Sequence, residues 1–427
     1  MKLDISKKLL KKARDLIPAC TQTFSKGPSQ FVQGIAPNFV SRAEGCKIWD
    51  VDGNEYIDYT MALGPMVLGY NYPTVNEAII SQLKEGTTFT LPHKIEVELA
   101  ELLVNIIPCA EMVRYGKNGS DVTSAAVRAA RAYTGREKIA CCGYHGWQDW
   151  YIGTTTRNKG VPKCVRELTL AFEYNNIENL VEIFDKNKDE VACVIMEPVS
   201  TIEPKDNFLE EVKKVTHEND AILVFDEVVT GFRIALGGAQ EYYGVIPDLA
   251  CFGKGMANGM PISAIVGKSD IMEEFEEIFF SFTFGGETLS IAAAIATINE
   301  IIEKKVIEYI WNTGNILVNS IKKLIKENEL ENYIEIIGLP PRTVMTFKNE
   351  KKEESLEMKS LFQQECIKRG VLFTGAHNIS YSHNKETIDK TMEVYSESLK
   401  ILKEAIETSS IRDRLEGGIV EPVFRKI

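Results

Sequence analysis

Short apolar runs alternate with helix-spaced stretches through the middle of this chain. Lys138–Cys142, Val191–Met196, Ala221–Phe225, Leu249–Phe252 and Ser263–Val266 are each a few residues long and almost wholly apolar, the pattern of strands buried on both faces. Around them the period changes. From Asp121 to Tyr133, the residues Val122, Ala125, Ala126, Ala129, Ala130 and Tyr133 recur on one helical face, and Ile177–Phe184 and Asn207–Glu218 carry similar spacing. This alternation predicts an α/β fold in which helices cover a mostly parallel sheet.

The two ends of the chain read differently. Lys47–Val51 and Glu55–Tyr59 flank Asp52-Gly53-Asn54, which predicts a hairpin in a small antiparallel sheet with Phe39-Val40 nearby. Near the other end Val344–Phe347 and Val371–Phe373 are strand-like and Leu356–Lys368 is helical. The expectation is a small α+β domain built from both chain ends, residues 1–75 and 321–427, around a large domain of residues 76–320. Met1–Arg14, rich in lysine with Leu3, Leu9 and Leu10, reads as a surface helix.

Composition narrows the function classes. With 427 residues, 44% hydrophobic and 26% charged, the chain can bury a large core and has the balance of a soluble globular protein. A net charge of −12 disfavours nucleic acid and anionic membrane as partners, so an anionic cofactor must be held by local groups. No apolar run reaches the roughly 18 residues that span a bilayer, and the N-terminal stretch lacks a signal-peptide core. Nine cysteines without a CxxC pair fit reduced thiols in a cytoplasm, and five scattered histidines suggest no metal site.

Two residues carry the chemistry. Lys254 follows the strand ending at Phe252 and stands between Gly253 and Gly255; Asp226 ends the strand Ala221–Phe225. A lysine amine can hold an aldehyde cofactor as an imine and later move protons, while a carboxylate at a neighbouring strand end can keep a pyridine nitrogen protonated. At an effective dielectric near 20 that charge pair is worth about 4 kcal/mol before desolvation, enough to hold the ring cationic at neutral pH. Gly119-Ser120, opening the helix near Asp121, offers backbone N–H groups, a hydroxyl and a positive helix end to a phosphate. Ser120 as a simple helix cap is the alternative. Strand period puts Val228 on the same side as Asp226, against one face of a ring.

These residues, in this order, resemble the class III pyridoxal-phosphate aminotransferases, and within them the glutamate-1-semialdehyde aminomutase-like subgroup. The likeness extends through Trp49-Asp50-Val51-Asp52-Gly53, Lys117-Asn118-Gly119-Ser120-Asp121, Gly143-Tyr144-His145-Gly146, Met196-Glu197-Pro198 and Thr283-Phe284-Gly285-Gly286. It implies the fold of type I pyridoxal-phosphate transferases, with a seven-stranded sheet in the large domain. The implied cofactor is pyridoxal 5′-phosphate, and the implied substrates are a small-molecule amino donor and an oxo acceptor. The resemblance also gives Tyr144 the second ring face, adds Glu197 to the cofactor contacts, makes Asp121 a lesser site residue, and implies a homodimer in which Thr283 reaches the partner's phosphate.

One segment departs from the subgroup. The aminomutase carries a serine and an arginine in an Asn-Ser-Pro-Val-Arg segment near its N-terminus, whereas Thr21–Gln30 here contains no arginine. Candidate substrate contacts are therefore Lys26, Arg342 and His145, with His377 and Asn378 as weaker ones. The leading expectation is a transaminase, with intramolecular amino transfer as the alternative.

Overall fold

The computed structural model describes residues 1–423, and the last four residues of the 321–427 segment lie outside them. The chain divides into two compact units: Met1–Tyr72 with the chain from Glu308 onward, and Pro73–Ile307.

The first unit opens with helix α1, Asp4–Leu16, whose first turn is fastened by Asp52: its carboxylate accepts the N–H groups of Ile5 and Ser6 at 2.7 and 2.8 Å. Strands β1 (Val40–Glu44), β2 (Lys47–Asp50) and β3 (Glu55–Asp58) follow as an antiparallel meander, with the expected turn between the last two. This sheet is completed from the far end of the chain, as described below.

In the second unit, helices α2 (Pro73–Glu85) and α3 (Lys94–Ile106) precede β4 (Met112–Gly116), α4 (Gly119–Thr134) and β5 (Lys138–Cys142). The chain then adds β6 (Thr169–Ala171), β7 (Val191–Met196), β8 (Ile222–Asp226), β9 (Leu249–Phe252) and β10 (Ser263–Gly267). They form one seven-stranded sheet in the order β4-β10-β9-β8-β7-β5-β6, parallel from β9 through β6, with β10 antiparallel to both its neighbours. Strand period sorts the core. Ile139, Cys193, Ile195, Ile222, Val224 and Cys251 face the alanine-rich side of α4, whereas Ala140, Val194, Leu223 and Phe225 face the helices Ile177–Lys186 and Phe208–Glu218.

Back in the first unit, β11 (Ile334–Leu339), β12 (Arg342–Phe347) and β14 (Ala376–Asn378) make an antiparallel sheet. Between them in sequence, β13 (Val371–Leu372) pairs in parallel with β3, so the N-terminal sheet draws its fourth strand from the C-terminal segment. Among the described residues no helix is long and apolar enough to cross a membrane.

Candidate active site

The parallel strands of the second unit end together, and Asp226 and Lys254 stand at two neighbouring ends. Asp226 is the last residue of β8 and pairs in register with Cys251 of β9, three residues before Lys254. Following Ile222 and Val224 in the strand period, Asp226 shares the α4 side of the sheet. Lys254, half-buried, begins a 3₁₀ turn with φ +42°, a left-handed conformation that a lysine adopts at a cost and that re-aims the side chain where the strand stops.

His145 fixes the acid. Its Nδ1 lies 2.8 Å from Oδ2 of Asp226 and its Nε2 3.1 Å from the carbonyl oxygen of Cys142, while Oδ1 of Asp226 accepts the N–H of Val228 at 3.1 Å. The imidazole is fully buried, parallel to the Trp150 ring at 6.0 Å and edge-on to Tyr151. This corrects the expectation that His145 touches substrate. With both ring nitrogens engaged and no exposure, it has no atom to offer a ligand and instead holds the carboxylate of Asp226.

The start of α4 lies at the same edge. Asp121 accepts the N–H groups of Lys117 and Asn118 at 3.0 and 2.7 Å, so its carboxylate closes the turn that leads into the helix. Ser263, opening β10, donates its hydroxyl to the Asn118 carbonyl at 2.8 Å and ties that turn to the sheet. A Cβ at Gly119 would come 2.9 Å from Cγ1 of Val228, and one at Gly146, where φ is +108°, would come 2.5 Å from Cβ of Ser120. Three segments distant in sequence thus close around the helix N-terminus only because two positions lack side chains.

The loop after β5 is positioned by Glu197, just beyond β7, whose Oε2 accepts the Tyr144 N–H at 3.0 Å. Gly143, at φ +107°, admits that carboxylate, since a Cβ there would stand 2.8 Å from it. The Tyr144 ring is half exposed and edge-on to Tyr151. Burial first, then the charges of Asp226 and Glu197, raises its phenol above the ordinary range, which keeps it neutral.

The remaining expected residues belong to other segments of the chain. Thr283 is exposed on the loop that precedes the helix Thr288–Glu303. In the first unit, Lys26 is exposed at the end of a 3₁₀ turn, and Arg342 begins β12 opposite Asn378. His377 and Asn378 are buried there, His377 between Thr343 and Tyr395, and Asn378 with its side-chain amide on the Thr60 carbonyl. Sequence reasoning missed the union of His145 with Asp226, and the ion pair of Lys117 with Glu287 at 3.0 Å beside α4. The only early sign of the first was a histidine three residues past the end of a buried strand.

The arrangement fits pyridoxal phosphate: an amine and an anchored acid at adjacent strand ends, and a helix N-terminus cleared by glycine for a phosphate. The model for "Aminotransferase class-III" matches residues 32–406. The chain belongs to the class III aminotransferase family. It is 38% identical to the glutamate-1-semialdehyde 2,1-aminomutase of Archaeoglobus fulgidus over 93% of this chain and 100% of that one. It is 35% identical to the 3-aminobutyryl-CoA aminotransferase of Cloacimonas acidaminovorans over 95% and 99%. Among solved structures, the FumI protein of Sphingopyxis sp. MTA144, in its PLP internal aldimine form, superposes with a TM-score of 0.86 at 28% identity, covering 97% of this chain and 98% of that one. Pyridoxal 5′-phosphate is accordingly the cofactor of this class III enzyme.

Proposed function

We propose that the protein is a transaminase that passes an amino group from a donor amino acid to an aldehyde or ketone in two successive half-reactions. In the first half-reaction the donor carbon gives up its nitrogen and takes a carbonyl oxygen from water; in the second the acceptor carbon takes that nitrogen and its oxygen leaves as water, so water balances and no outside oxidant or reductant is needed. Bound pyridoxal phosphate supplies an electron sink and a carrier for the amino group. Lys254 would hold the cofactor covalently and, once released, shuttle a proton to and from the reacting carbons. Asp226, steadied by His145, would keep the pyridine nitrogen charged; Gly119 and Ser120 would bind the phosphate; Val228 and Tyr144 would enclose the ring. Glu197 serves by holding the Tyr144 loop.

The observation that carries this reading is the pairing of β8 with β9, which places Asp226 and Lys254 at neighbouring strand ends with His145 behind the acid. The absence of arginine from Thr21–Gln30 and the relative named as an aminotransferase favour exchange between two molecules over rearrangement of one. That relative's name also puts 3-oxoacyl thioesters among the acceptors worth trying. The second reading, intramolecular amino transfer on glutamate-1-semialdehyde, rests on the several relatives named as aminomutases. We further propose a cytoplasmic homodimer in which the exposed Thr283 reaches the partner's phosphate.

The test is a panel of amino donors mixed with holoenzyme while the cofactor absorbance is followed. Conversion by an amino acid without glutamate-1-semialdehyde supports the transaminase. No conversion by any donor, with isomerisation of glutamate-1-semialdehyde, overturns it in favour of the aminomutase.

A further inference from the structure

On α1 the side chains of Lys7, Lys11 and Arg14 recur at i, i+4 and i+7, one face of the helix, and line a cavity of about 480 Å³ with Gln33 and Asn38. Among the described residues no acidic side chain lines it and none of the three cations forms an ion pair. In a chain of net charge −12, with 61 acidic residues to choose from, an unneutralised basic cavity stands out. The helix that carries it is firmly seated: Ser6 and Ala13 are buried, Asp52 caps the first turn, and the Ser6 hydroxyl accepts the Asn38 N–H at 2.9 Å. The three charges are therefore presented from a fixed surface.

Asn38 also lines a second cavity of about 430 Å³. Phe31, Phe39, Ile48 and Leu372 give it apolar walls, and Lys26, Thr21 and Ser25 add one cation and two hydroxyls. The one acid there, Asp58, is buried and spent: its oxygens accept the Tyr70 hydroxyl and the Thr60 N–H, each at 2.7 Å. Its wall includes Ala62, from the run Met61-Ala62-Leu63 in which three successive non-glycine residues hold positive φ, and Cys20, also at positive φ. Such strain gathers at ligand sites, where surrounding structure holds it in place. A basic cavity and an apolar, hydroxyl-bearing one sharing a wall suit a long ligand with a phosphate-rich end.

We infer that these cavities bind the tail of a coenzyme A thioester, its phosphates at Lys7, Lys11 and Arg14 and its amide-containing arm in the second cavity. The inference rests on the transaminase reading for the reactive end of the substrate, but the cavity itself can be tested without turnover.

Binding of coenzyme A, which carries the tail and no acyl group, is measured on holoenzyme by calorimetry at low and high salt, with ADP in parallel. The wild type binds coenzyme A, more weakly as salt rises; K7Q/K11Q/R14Q, three exposed positions, binds it at least about tenfold more weakly, since three solvent-exposed ion pairs contribute a few-fold each. Unchanged binding in the triple variant, or none in the wild type, overturns the proposal. In the kinetic arm, kcat/KM for a 3-oxoacyl-coenzyme A is divided by that for the N-acetylcysteamine thioester of the same acid. The ratio should exceed about ten in the wild type and fall toward one in the variant. If ADP binds as well as coenzyme A and the ratio is already one, the cavity serves a free nucleotide and the substrate assignment is wrong. If no oxo compound is aminated at all, the transaminase reading fails, and the calorimetry alone decides the cavity.

Discussion

Nδ1 of His145 stands 2.8 Å from Oδ2 of Asp226, and the other ring nitrogen faces the Cys142 carbonyl. Both nitrogens meet acceptors, so the ring clamps the carboxylate to the backbone at the end of β5. Replacing His145 by phenylalanine keeps the packing against Trp150 and removes the clamp. Turnover should fall about 10- to 100-fold, the value of one charge-assisted hydrogen bond, and the pH profile of the bound cofactor's absorbance should move with it. A variant that only melts earlier, with its absorbance profile unmoved, would show that His145 fills space and does not position Asp226.

Lys254→Ala should eliminate the label that borohydride reduction otherwise fixes to the peptide containing Lys254, and should nearly abolish turnover. Asp226→Asn should retain the fold, because His145 and the Val228 N–H can still be bonded by an amide, yet lose about a hundredfold or more in rate, as a charge pair of several kcal/mol disappears. Wild-type rates in either variant would contradict the assigned roles.

Gly146→Ala tests the closure around α4. The new Cβ meets Cβ of Ser120 at 2.5 Å and its Cα at 3.0 Å, and φ of +108° is itself costly for alanine. A loss of about 2 kcal/mol or more in stability follows, together with weaker retention of the cofactor because Ser120 must shift. Unaltered melting and cofactor content would mean that the loop after β5 yields freely.

Much of this was legible in the chain before folding. Lys138–Cys142 and Val191–Met196 coincide with β5 and β7, since a continuous apolar run bounded by polar residues has few other ways to be buried. Met112–Gly116 carries no such signal: it is an edge strand with Arg114 at its centre, exposed and covered residues alternate, and only its antiparallel pairing with β10 marks it. Asp226 and Lys254 are readable because each stands at or just past the end of an apolar strand. The bond of His145 to Asp226 spans 81 positions, and no local pattern specifies which loop residue turns inward. The place of Lys26 in an apolar cavity was equally hidden, because its walls come from β1, β2 and the far strand β13.

His377 makes a prediction about acid. Its ring is fully buried, with Nδ1 3.2 Å from the Thr343 hydroxyl, Nε2 2.9 Å from that of Tyr395, and the Tyr59 ring edge-on beside it. Burial first, with a smaller contribution from His383, pushes its pKa down to about 3. The unfolded chain, with an ordinary histidine near 6.5, takes up a proton that the native chain refuses, so the neutral ring supports stability above about pH 6.5 and that support is lost as pH falls toward about 3. Over this window the loss is about 1.4 kcal/mol per pH unit. Hydroxyls can donate or accept, so His377→Gln can keep both partners while removing the titration. Denaturant midpoints measured from pH 7 to pH 5, above the range where most carboxylates titrate, should decline less steeply in the glutamine variant. Parallel slopes in the two proteins would mean that the native ring takes up its proton as readily as the unfolded one, and that the Thr343–His377–Tyr395 chain does not exclude charge.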